Sequence, residues 1–266
     1  VVLLSGIVKD QPGSGGLPFT NETSITPELW ERLSKKIEAH PSDEILVLVY
    51  SPGGSGSASD LIFELTEALK KKGKKVYVYM LDVAGSGGYY IAINADRIYS
   101  SPFTLTGSIG VLGGKMNFAG LLKKLSIGKG TIAVGNNTDV FSSFTPFSDN
   151  EREKYKLYLT KFYDLFLKRI TDSRDIKLEE LRTLAGGRIY SGVQAEEIKL
   201  IDKTATLYGV IEELCKEKGY DEVKIERLNA SSPPGLLSTD MQSFISFLGL
   251  PALTPLFIME PLILKI

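Results

Sequence analysis

The 266-residue chain has almost none of the residue types that build metal sites and disulfides: one cysteine, Cys215, and one histidine, His40. A lone cysteine cannot close a disulfide within the chain, and one Cys with one His cannot assemble a zinc tetrahedron, so structural zinc is excluded. A surplus of either charge is missing too. Lys and Arg number 31 against 32 Asp and Glu, a formal charge of −1, which leaves no basic excess to grip a nucleic-acid backbone. No methionine or basic stretch precedes Val1-Val2-Leu3-Leu4, so the start does not read as a signal peptide and reads instead as a fragment beginning in a strand. What is plentiful is apolar: 43% of the residues are hydrophobic, enough for one large α/β domain or two small ones.

The apolar residues alternate between two patterns. Val1 to Val8 is a short strand-like run ended by the Gly/Pro/Ser loop from Lys9 to Gly16, and Ile45 to Tyr50 is a continuous β-rich run, as expected of a strand covered on both faces. Further strands are expected at Val76–Met80, Arg97–Tyr99 and Thr131–Val134. Between them, Thr26 before Pro27 caps a helix carrying Leu29, Trp30, Leu33 and Ile37 up to His40. A second helix runs from about Ala58 to Lys72 and stops at Gly73, and a long one from about Ser148 to Ile170. Two shorter ones cover Leu178–Leu184 and Ser191–Ile198. Strand and helix in alternation predict an α/β fold with βαβ crossovers and a parallel sheet. The module is expected to span residues 1–228. Beyond it lie a linker, Asn229 to Gly235, and an apolar tail broken by Pro251, Pro255 and Pro261, expected to pack on a partner or lie at a membrane surface rather than cross one.

Chemistry concentrates in Ala84-Gly85-Ser86-Gly87-Gly88-Tyr89-Tyr90. A serine between glycines, after a strand and at the opening of a helix, sits where unpaired N–H groups favour developing negative charge; it is either a nucleophile or an ordinary N-cap. Ser51-Pro52-Gly53-Gly54 ends an earlier strand, at the sheet edge where open α/β sheets bind ligands. The N–H groups of Gly54 and Gly87 are candidates for an oxyanion hole, and Gly53, Gly88 and Tyr89 for the walls of a substrate cleft. Tyr90 is expected to pack. A serine nucleophile needs a base, and no histidine follows Ser86. His40, at a helix end beside Pro41, reads as a surface histidine, so a Ser-His-Asp triad is not expected and a neutral lysine is the remaining solution. Lys115 and Lys129 are the nearest lysines, both expected in solvated loops, and the run Lys70 to Lys75 reads as a solvated helix end. Cys215 is expected to pack on a helix.

Four segments together carry a family resemblance: Ser51-Pro52-Gly53-Gly54, Ala84 to Ala92, Leu105-Thr106-Gly107-Ser108-Ile109-Gly110-Val111 and Gly187-Arg188-Ile189-Tyr190-Ser191-Gly192. In that order they resemble the signal peptide peptidase A, or protease IV, family, within the clan of Clp proteolytic subunits and crotonases. The resemblance implies a ClpP/crotonase-like spiral of ββα units, Ser86 as nucleophile, Gly54 and Gly87 as oxyanion donors, and cleavage of signal peptide remnants by a Ser/Lys dyad. It further implies a homo-oligomer without cofactor, associated with a bacterial inner membrane or a thylakoid through a part N-terminal to Val1. In single-module members the lysine follows a glycine by three residues. Here the segment reads Gly135-Asn136-Asn137-Thr138, and a threonine cannot serve as the amine base. The chain therefore resembles the serine-bearing, carboxyl-terminal module of the two-module members, with the lysine contributed by another module or a neighbouring subunit. A non-catalytic scaffold of the same fold and a crotonase-like acyl-CoA enzyme are the competing readings.

Overall fold

The structure is a computed structural model and describes residues 1–11, 24–132, 134–135, 137–220, 222–228 and 263–265. The chain divides into two compact units. The first comprises Val1–Gly107 and Ile189–Ile266, and the second is the stretch between them, Ser108–Arg188. The first unit begins β1 (Val2–Ser5), β2 (Ile7–Val8), β3 (Ser24–Ile25), α1 (Pro27–Ala39) and β4 (Glu44–Ser51). It continues α2 (Gly56–Lys71), β5 (Lys75–Gly85), α3 (Gly87–Tyr90), β6 (Arg97–Ser100) and β7 (Leu105–Gly107). The second unit holds α4 (Ala119–Lys124), α5 (Asp149–Ser173) and α6 (Leu178–Leu184). The first then resumes with β8 (Ile189–Ser191), α7 (Gly192–Glu197), β9 (Lys203–Thr204), α8 (Leu207–Lys218), β10 (Glu222–Lys224) and β11 (Ile263–Lys265).

The expected parallel sheet is present. Its strands run β1-β4-β5-β6-β9, all parallel, with β7 joining the far end of β5 and β8 pairing antiparallel to β7. One face of β4, β5 and β6 presents Leu46, Tyr77, Tyr79 and Tyr99 to Val210 and Leu214 of α8. The alternate residues Val47, Val49, Val78 and Met80 point to the other face and are buried as well. Burial of both faces is why β4 reads as an unbroken apolar run rather than an alternating one. In α1, Trp30, Leu33 and Ile37 are buried at i, i+3 and i+7, each contributing about 1.5–3 kcal/mol. The Glu31–Lys35 pair on the same helix is solvent-exposed and screened.

Helix starts follow the sequence signals closely. Thr26 accepts from the Leu29 N–H, Ser55 from Ala58, and Ser148 forms a reciprocal capping box with Glu151. Three expectations need correction. In the stretch expected as a strand at Thr131–Val134, the described residues Thr131, Ile132 and Val134 are not in a strand and are exposed, with glycine at 128, 130 and 135 around them and no neighbouring strand among the described residues, and β-branched residues form a strand only where a pleated, half-buried surface receives them. The helix opened by Ser86 is a single turn. And β5 runs on well past Met80 to Gly85, changing register on the way: β4 pairs Val49 with Met80 but Ser51 with Ala84, so β5 spends two extra residues there. The apolar tail expected beyond 228 lies outside the described residues, except for the backbone pairing of β10 with β11.

In the second unit, Phe166, Leu167 and Ile170 on α5 are buried, as are Leu181 and Ala185 at the end of α6. Its two ends are tied together where Ser108 N–H donates to Arg188 O at 2.6 Å and Gly187 N–H to Ile109 O at 2.9 Å.

Candidate active site

Both candidate glycine turns emerge at the carboxyl edge of the sheet, one after β4 and one after β5. Gly53 and Gly54 adopt φ of 110° and 147°, a region L side chains rarely enter. Ser51 Oγ accepts from the Gly53 N–H, and β2 holds the turn from the other side, with Val8 N–H bonded to Gly53 O and Ser55 N–H to Val8 O. At the second turn Ser86 has φ 52° and ψ −118°, a conformation costing a non-glycine residue on the order of 1–3 kcal/mol. The strain is held in place by β7: Ser86 N–H donates to Gly107 O at 2.8 Å, and the Thr106 hydroxyl to Ala84 O at 2.7 Å.

The two turns touch. A methyl group on Gly53 would come within 2.8 Å of Ser86 Cβ, and one on Gly87 within 3.1 Å of Gly54 N. The amides of Gly54 and Gly87 are therefore neighbours beside Ser86, and neither donates a hydrogen bond among the described residues. Ser86 is half-buried and its hydroxyl has no hydrogen-bond partner among the described residues. Two convergent donors beside a hydroxyl held on a strained turn can stabilise an oxyanion formed by attack of that hydroxyl on a carbonyl. A one-turn helix has little macrodipole, so the anion-stabilising element is this amide pair rather than the helix end expected from the sequence.

Two expected cleft residues have other roles. Tyr89 has no exposed surface and its hydroxyl donates to Leu200 O at 2.7 Å, which makes it a core residue tying α3 to the segment before β9. Gly88 lies against the end of β4, where a Cβ would fall 2.4 Å from Ser51 O. Tyr90 packs as expected, edge-on against Phe63 with its hydroxyl on Asp60. Ser59 was not legible as a site residue. It is fully buried, donates to Ser55 O, and its hydroxyl lies 2.6 Å from where a Cβ on Gly87 would be. A serine on the buried side of a helix carries no sequence signal beyond its spacing from the cap.

His40 follows α1 at the amino edge of the sheet, before β4, whereas Ser86 follows β5 at the carboxyl edge. An eight-residue strand separates those edges by about 26 Å, so the histidine cannot act on the serine. It accepts instead from Ser42 N–H and lies 3.3 Å from Glu226. Cys215 is buried on α8, and burial pushes its thiol above the ordinary value, which removes it as a competing nucleophile. In the second unit Lys115 is not a solvated loop residue: it is half-buried, its Nζ donates to Asp139 O at 2.9 Å and sits 4.3 Å from the centre of the Phe147 ring. Lys129 is exposed, near Ser142 and the Phe144 ring.

Residues 68–221 match the family model of peptidase family S49. The chain belongs to that family. Among curated S49 relatives, a candidate signal peptide peptidase SppA of Enterococcus faecium is 32% identical over 84% of this chain and 64% of its own length. The chloroplastic serine protease SPPA of Arabidopsis thaliana is 30% identical over 88% of this chain and 34% of its own length, and Protease 4 of Haemophilus influenzae 30% identical over 78% and 36%. The chain thus spans from about a third to under two thirds of the length of these relatives. Among solved structures, a ClpP1 mutant from Listeria monocytogenes aligns with a TM-score of 0.49 and 17% identity over 77% of this chain and 90% of that one.

The parts of the four segments that lie in the first unit are neighbours at the β5 end of its sheet. The Gly53 turn lies under Ser86, Leu105–Gly107 flanks β5 as β7, and Ile189–Ser191 pairs with β7 as β8. Thr138, at the position read as the family lysine, is exposed and lines a hollow of about 510 Å³ in the second unit, together with Asn137, Asp139, Thr145 and Glu151.

Proposed function

We propose that this S49 chain is the nucleophile-bearing module of a serine endopeptidase whose lysine base comes from another module or a neighbouring subunit, and that the assembled enzyme cleaves signal peptide remnants at a membrane. The observation that carries the reading is the contact of the two glycine turns, with two undonated amides beside a strained, unpartnered serine hydroxyl. In the proposed reaction Ser86 Oγ attacks the scissile carbonyl carbon while its proton passes to a neutral lysine amine, and the Gly54 and Gly87 N–H groups receive the oxyanion. Collapse breaks the C–N bond, the lysine returns the proton to the leaving amine, and an ester on Ser86 remains. Water, deprotonated by the same lysine, then hydrolyses the ester and restores the hydroxyl. Similarity to a signal peptide peptidase supports the substrate class, and the threonine at position 138 supports an external base.

The test is covalent labelling with a fluorophosphonate in the assembled enzyme. Label should map to Ser86 by mass spectrometry, and Ser86→Ala should lose both label and peptide hydrolysis while keeping its melting temperature within a few degrees. Unlabelled Ser86 in an enzyme that still hydrolyses peptides would move the nucleophile elsewhere, and a chain neither labelled nor active in any assembly would make it a scaffold.

A further inference from the structure

Gly54 owes its place to a very short strand. β2 is two residues long, and Val8 within it brackets the Gly54 turn: its N–H donates to Gly53 O at 2.9 Å and its carbonyl accepts from Ser55 N–H at 2.8 Å. The fit is so close that a Cβ on Gly54 would fall 2.1 Å from Val8 O. The direction of the Gly54 amide therefore follows the position of the Val8 backbone. A two-residue strand paired with the equally short β3 has few hydrogen bonds of its own to fix that position. Two residues on, Asp10 supplies what the strand lacks. Its Oδ1 accepts from the Ser55 hydroxyl at 2.9 Å and from the Ser57 hydroxyl at 2.7 Å, and hydrogen bonds to an ionised acceptor are the stronger kind. The two hydroxyls are 3.0 Å apart, and Ser55 Oγ also accepts from Ala58 N–H as the N-cap of α2. The first turn of α2 has no acidic residue of its own, so the carboxylate at that turn comes from Asp10.

We infer that Asp10 is a positioning residue for the oxyanion hole. By clamping the end of β2 to the start of α2, its carboxylate holds Val8 against the turn and keeps the Gly54 N–H in place beside Gly87. Asp10 acts through that amide and touches neither substrate nor the reacting atoms. The inference rests on the reading of Ser86 as nucleophile and Gly54 as oxyanion donor, and adds to it the residue that preorganises the donor. Preorganisation matters because a donor already in place needs no reorganisation as charge develops on the substrate oxygen, whereas one free to swing does. Asp10 and Ser57 are exposed. Hydrogen bonds at the surface exchange readily with water, so loss of the clamp should show in rate before it shows in stability.

Steady-state kinetics of the assembled enzyme on a peptide substrate, normalised by fluorophosphonate titration of Ser86, test this. Removing an oxyanion donor outright costs about a hundredfold to a thousandfold in kcat; loosening one should cost less, so Asp10→Ala is expected to lower kcat roughly tenfold and change KM by less than about twofold. Affinity for a peptide aldehyde, whose hemiacetal with Ser86 places an oxygen in the hole, should fall by the same factor as kcat/KM. Asp10→Asn keeps an oxygen that can accept from both hydroxyls and should restore most of the rate. Ser57→Ala should lose a smaller part, and should add nothing to Asp10→Ala, because both act through one clamp. A residue that merely supports the fold would lower the amount of titratable Ser86 or the melting temperature and leave kcat per titrated site intact. The inference is overturned if Asp10→Ala keeps the parental kcat per titrated site, if the loss sits in KM instead, or if Asp10→Asn is as slow as Asp10→Ala. An active parent that takes no label at Ser86 overturns the nucleophile reading and this inference with it; normal labelling with an unaffected Asp10→Ala sinks this inference alone.

Discussion

At the scale of single residues the candidate site depends on atoms that are missing. Gly53 has no Cβ because Ser86 Cβ, Gly85 O and Gly87 N would all lie within 3 Å of it. Its φ of 110° adds a backbone penalty to the overlap. Gly53→Ala is therefore expected to cost about 1–3 kcal/mol of stability through strain alone. By pushing the serine off its turn it should also lower kcat about a hundredfold or more, as displacements near 1 Å do. Thermal unfolding and steady-state kinetics on the assembled enzyme check both parts. A variant that is destabilised yet fully active would show that the serine does not need the contact.

At the scale of elements, most helices and the central strands were legible because their signals are local: Thr26-Pro27, the helix start at Ser148, and Gly73 at positive φ after α2. What escaped depends on distant partners. Leu105–Gly107 and Ile189–Ser191 are strands only because β5 and then β7 lie alongside. Thr131–Val134 has the composition of a strand without such a neighbour. The family segments pointed to two turns that the structure brings into contact, but the burial of Tyr89 comes with its bond to Leu200, more than a hundred residues onward, which no local pattern encodes. The capping box of α5 makes a pH prediction. Hydrogen bonding from the Ser148 backbone, above all, holds the Glu151 carboxyl below the usual carboxylate range. The stabilisation is then fully present above the unfolded glutamate pKa of about 4.3 and disappears as pH falls through the lower folded value. Helical signal should drop on acidification below about pH 4 in the parent. Glu151→Gln should lower stability at neutral pH and flatten that acid limb; an unchanged limb would remove the box from the account.

At the scale of the whole molecule, the proposed supply of the base from outside this chain would set the behaviour of the isolated chain. Ser86 Oγ has no partner among the described residues, Lys115 is engaged by Asp139 O and the Phe147 ring, and Thr138 stands at the lysine position. Purified alone, the chain is expected to hydrolyse peptides slower than its assembled enzyme by about a hundredfold or more, the scale on which a positioned general base acts. Lys115→Met with Lys129→Met should change that residual rate little. Robust turnover by the isolated chain that survives the double substitution would place the base within it at a position not considered.

The two extra residues of β5 between Met80 and Ala84 carry a consequence for how this sequence can vary. Side chains alternate faces along a strand, so an even insertion leaves every later residue on its original side, and Ala84 and Gly85 still meet Thr106 and Gly107. An odd change in length there would invert Val83 to Gly85 and carry Ser86 away from the Gly53 turn. Length change in this stretch is thus constrained by parity: natural variants that keep a working serine should gain or lose residues at positions 81–83 in pairs, however freely the side chains themselves are exchanged.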